Sequence, residues 1–114
     1  MGFSGEEKNT LPFNIGSSTS GDTSAISAPG AGIRIVLAAV VMQNLSSTAT
    51  TIKLTNGASG TVLVEVLGQN QGDGLMFVFP PDTRPKLSAN TALTLNLSGA
   101  NSCKASGLYY TEPA

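Results

Sequence analysis

The chain has no histidine, no tryptophan and a single cysteine in 114 residues. Each shortage removes a class of function. Without histidine, the usual general base and the commonest metal ligand are missing. Nucleophiles activated by an imidazole are excluded with it. A zinc site needs several Cys or His, and Cys103 alone supplies one. One cysteine also forbids an intrachain disulfide, which sets aside stapled secreted scaffolds and favours a chain made in a reducing cytoplasm. No enzymatic activity, cofactor or metal is expected. The loop Gln69-Asn70-Gln71-Gly72-Asp73-Gly74 offers one carboxylate where calcium loops have several.

Charge is scarce as well, at 11% of residues with a net charge of −1. The basic residues are scattered, and only Arg84 and Lys86 lie close together. That gives no stripe for phosphates, so no nucleic-acid partner is expected. The longest apolar run, Ile33 to Met42, is interrupted by Arg34. It falls well short of the roughly 20 residues that span a bilayer, so no membrane partner is expected. Glu6 and Glu7 stand where a secretion leader would be apolar, so no leader is expected. Gly30-Ala31-Gly32 opens like a dinucleotide fingerprint, but a strand pattern follows and not a helix. Asn44-Leu45-Ser46 and Asn96-Leu97-Ser98 match the glycosylation sequon, as chance allows in a chain rich in Asn, Ser and Thr.

What is present is the texture of β-structure. Gly, Pro and Asn interrupt the chain often enough to leave no long helical window. Between them lie Val, Ile, Thr and aromatic residues, which favour a pleated sheet. Thr48 to Thr55 alternates, with Thr50, Ile52 and Leu54 on one face, and Asn56-Gly57 then marks a turn. Val62, Val64 and Val66 share a face, as do Leu93, Leu95 and Leu97. Leu75 to Phe79 is an apolar run stopped by Pro80-Pro81. A short strand is possible over Arg84 to Ala89, and a closing one runs from Ser102 to Thr111. Seven or eight such strands indicate a two-sheet antiparallel β-sandwich, and the jelly roll is one solution for that count.

The pattern divides the chain. Residues 25–114 are expected to form the sandwich domain, and residues 1–24, rich in Gly, Ser and Thr, an extended N-terminal arm. Phe3, Leu11, Phe13 and Ile15 are the apolar residues that would anchor such an arm to a partner. A frayed terminus with one edge strand is the alternative. In Ile33 to Met42 both faces read as apolar. Val36, Ala38, Val40 and Met42 accompany Arg34 on one face and are the candidate oligomer interface. A strand covered by a long loop or by the arm is the competing reading.

Ala28-Pro29-Gly30-Ala31-Gly32-Ile33-Arg34-Ile35-Val36-Leu37 resembles an opening that recurs in small jelly-roll virion proteins of tailed bacteriophages. The Thr-rich strand, the Phe77-to-Pro81 stop, Ala92-Leu93-Thr94-Leu95-Asn96-Leu97-Ser98 and the closing Leu108-Tyr109-Tyr110 are similar too. The resemblance covers residues 26–112 and rests mostly on strand and turn chemistry. It implies a capsid decoration (cement) protein, commonly a homotrimer. Its partner would be the major capsid protein, and its place the outer capsid surface of a virion assembled in a bacterial cytoplasm. A receptor- or glycan-binding module of a head or tail fibre is the alternative, with Gln69, Asn70, Asp73, Arg84 and Tyr110 as its loop residues.

Overall fold

Alternation of apolar and polar residues decides most of the architecture. The computed structural model describes residues 9–114. In chain order the strands are β1 (Leu11–Ser17), β2 (Gly21–Ile26), β3 (Ile33–Asn44), β4 (Thr50–Asn56), β5 (Val62–Gly68), β6 (Gly74–Val78), β7 (Leu93–Leu97) and β8 (Cys103–Pro113). One turn of 3-10 helix, Pro81–Thr83, follows β6. It forms where consecutive prolines stop the strand.

Two four-stranded sheets face each other: β1-β8-β3-β6 in the first and β2-β7-β4-β5 in the second. All sheet pairings are antiparallel. The protein is therefore an all-β, two-sheet antiparallel sandwich. Strands pair in a nested manner: the first with the last, the second with the seventh, the third with the sixth and the fourth with the fifth. Ile52 and Leu54 from β4 and the three leucines of β7 form the second sheet's side of the core. Ile35, Leu37, Val40 and Met42 from β3 meet them, with Cys103 and Ala105 from β8.

The expected boundary between arm and domain is not seen within residues 11–24. β1 pairs with β8 along its whole length, from Leu11 opposite Tyr109 to Ser17 opposite Cys103. β2 pairs with β7. Each sheet thus takes an edge strand from the segment read as an arm. The composition misled because edge strands need only one apolar face, and β2 (Gly-Asp-Thr-Ser-Ala-Ile) brings little more than Ile26 to the core.

The doubly apolar strand has a different cause from the one expected. Leu37 lies opposite Tyr109 and Ala39 opposite Leu108, which leaves Ala38 as an extra residue in a β-bulge. A one-residue slip exchanges the faces of a strand. Before the bulge Ile35 and Leu37 point to the core; after it Val40 and Met42 do. The four residues read as one interface therefore do not share a face. Val40 and Met42 are core, Ala38 is the bulge, and all four, Val36 included, are buried within one chain. They are not a surface for an oligomer. Arg84 to Ala89 likewise forms no strand, only a single bridge from Lys86 to Val36.

Candidate binding surface

The outer face of the β1-β8-β3-β6 sheet holds two adjoining regions, separated by the bulge. Registers place Glu112 beside Arg34, and Tyr110 beside Val36. Beyond the bulge, Leu108, Ala39 and Val78 form one row, and Ser106, Val41 and Met76 the next.

The first region is polar, with charged groups lying over the buried Val36 and Tyr110. The Arg34 guanidinium donates from Nε (2.8 Å) and Nη2 (2.5 Å) to Oε2 of Glu112. Lys86 Nζ stands 3.7 Å from the same oxygen. Residues 85–90 run alongside the first half of β3, where Leu37 N–H donates to the Pro85 carbonyl (3.0 Å) and Leu87 N–H to that of Ile35 (2.9 Å). This brings the Arg84 guanidinium over the Tyr110 ring, 5.6 Å from its centroid, a cation–π distance. Arg84 Nε is buried without a hydrogen-bond partner among the described residues. Tyr110 is buried beneath it, while Tyr109 faces the other way and meets Phe13 edge-on (6.3 Å). Adjacent strand residues diverge as the pleat requires.

The second region is apolar and open. Met76 and Val78 are 76% and 71% exposed, the highest among the large hydrophobic residues described, and Val41 and Leu108 are exposed beside them. An antiparallel sheet ordinarily gives polar side chains to its solvent face. Neighbouring exposed apolar side chains, broken only by Ser106, depart from that pattern. A shallow depression opens beside them, lined by Val41, Gln43, Gly72, Gly74 and Met76 among others.

The remaining candidates are dispersed. Phe3 lies outside the described residues. Phe13 is buried in the core and Ile15 packs against it, so neither is available to a partner; Leu11, at the edge, is half exposed. Gln69, Asn70 and Asp73 lie at the Asn44 end of β3, where Gly72 N–H donates to the Asn44 carbonyl (2.7 Å). Arg84 and Tyr110 lie at its Val36 level. At roughly 3.3 Å per residue, about 26 Å of strand separates the two sets. They do not form one glycan site.

The Asp73 carboxylate accepts the Asn70 N–H (2.9 Å), which shapes its own loop. No three His, Cys, Asp or Glu residues converge among the described residues. Burial pushes the Cys103 thiol up from its ordinary value, with hydrogen bonds opposing. It is fully buried, which keeps it a neutral core side chain. Of the sequons, Asn44 is fully buried. Its amide donates to the carbonyls of Thr48 and Gly68 (2.9 Å each), and its oxygen accepts from Ser46 N–H (3.0 Å). Asn96 donates to Asp22 (2.8 Å). No family model matches the chain, and a search of curated proteins finds no match.

The apolar rows were not singled out from the sequence. Val41, Met76, Val78 and Leu108 come from three strands far apart in the chain. Only the pairing register collects them, and only the bulge turns Val41 outward.

Proposed function

We propose that this chain is a capsid decoration protein of a tailed bacteriophage, a jelly roll that docks on the outer head surface. The observation that carries this is the apolar outer face of Val41, Met76, Val78 and Leu108, a surface that fits another protein. Interface cores are apolar and poor in charge, and these rows have both properties. The Arg34, Arg84 and Lys86 cluster sits at the rim, where charge sets orientation more than affinity. The nested strand pairing supports the jelly-roll reading, since eight strands wound this way give two four-stranded sheets.

The mechanism is linkage. A protein that binds the assembled lattice and not free subunits stabilises the lattice by mass action. Copies set around local three-fold positions would bridge neighbouring capsomers. No catalysis is needed.

The test is sedimentation of purified chain with undecorated heads. The wild type is expected to co-sediment, and Leu108→Lys to remain in solution. Leu108 is exposed on the outer face, so its substitution is expected to leave folding stability within about 0.5 kcal/mol. Equal co-sedimentation of the folded variant would remove this face from the reading.

A further inference from the structure

Edge strands expose unpaired backbone groups, and proteins ordinarily blunt them with proline, charge or a bulge. Three of the four edges here are blunted. β1 carries Pro12. β2 has Asp22 and a register shift between Ser24 and Ile26. β5 has the exposed Glu65 and a register shift of its own.

β6 has none of these. It reads Gly74-Leu75-Met76-Phe77-Val78, without charge, proline or bulge, and every residue but Leu75 is exposed. Its hydrogen-bond phase is fixed at both ends: Asn44 N–H donates to the Asp73 carbonyl and Phe79 N–H to that of Ala38, each at 2.9 Å. Antiparallel ladders alternate. Leu75 and Phe77 therefore direct their backbone groups to β3, while Gly74, Met76 and Val78 direct theirs away from the sheet.

We infer that β6 is a pairing edge for a second copy of this chain, joined antiparallel across a two-fold axis at Met76. A strand pairs with its own copy only about such an axis. In this register Met76 meets Met76 of the second copy, Gly74 meets Val78, and Leu75 meets Phe77. The smallest residue lies opposite a β-branched one, and no like charges oppose each other. The exchange forms about six backbone hydrogen bonds. It sets Met76 and Val78 of the two copies side by side on one continuous outer face, which stays open, and flanks Leu75 and Phe77 on the inner face. The self-complementary, uncharged sequence favours a second copy over a foreign strand. The blunted edges end the assembly there, so pairing does not propagate into a fibre.

This goes beyond the decoration reading and does not depend on it, because it is measured on purified chain without virions. It is also compatible with a three-fold contact elsewhere on the molecule, since removing a two-fold halves the assembly whatever else holds it. The experiment is sedimentation velocity and equilibrium of the full chain over a wide concentration range. An even number of copies is expected. Val78→Pro removes one outward N–H and spares the β3 ladder, and it is expected to halve the mass. Met76→Lys sets two cations across the axis and is expected to do the same. Leu67→Lys, exposed on the other sheet, is expected to change nothing. Circular dichroism and thermal melting establish that each variant is folded. An odd copy number for the wild type, unchanged mass in folded Val78→Pro and Met76→Lys, or equal halving by Leu67→Lys would each overturn the inference.

Discussion

Asn44 closes the corner where β3 leaves its sheet. Its side chain ties two carbonyls, of Thr48 and Gly68, and the Ser46 N–H into one buried set. Ser46 Oγ adds a further bond to the same oxygen. Buried polar groups stripped of partners each cost about 1–3 kcal/mol. Asn44→Ala is therefore expected to cost about 3 kcal/mol, read in urea unfolding as a lower midpoint at unchanged slope. A midpoint equal to wild type would mean that water replaces the amide at no cost. The same residue heads a sequon, and its burial explains why a local motif said nothing about its role. Gly68 illustrates the packing side of the corner. A Cβ placed there would lie 2.6 Å from the Asn44 Cβ.

At the scale of the element, the bulge in β3 does the most. It lets one long strand supply core residues from both of its apparent faces, and it turns Val41 outward. Gly107 on β8 accommodates it. An ideal Cβ on Gly107 would stand 2.1 Å from the Ala39 carbonyl oxygen and 3.0 Å from Phe13 Cε1. Gly107→Ala forces the two strands apart there. A loss of about 2 kcal/mol is expected, as for overpacking elsewhere, visible as a lower thermal midpoint. Unchanged stability would show that the strands part freely. This element also marks how far the sequence could be read. Strands with strict alternation, such as β4 and β7, were legible to within two residues. So was the turn at Asn56-Gly57. The bulge was not, because an apolar residue inserted in an apolar run leaves no trace in the pattern. Nor was β2, whose polar residues suit an edge strand and a linker equally. The candidate surface failed for the same reason: it is a product of register, and register across strands distant in sequence is not written in any local window.

At the scale of the molecule, the chain is a thin sandwich with an asymmetry between its two outer faces. The β1-β8-β3-β6 sheet shows apolar side chains flanked by Arg34, Arg84 and Lys86, while the β2-β7-β4-β5 sheet carries the exposed Asp22 and Glu65 and the half-buried Lys53 and Asn96, with Leu67 exposed on its β5 edge. The first face gathers its apolar side chains into neighbouring rows, and the second spaces charged and polar residues among its own. That difference between the faces is what supports the proposal of a decoration protein. The most direct test is the number of copies per purified virion, by quantitative mass spectrometry against the major capsid protein. The account predicts a ratio approaching one to one, as for a protein that tiles the shell. A handful of copies, or none, would contradict it.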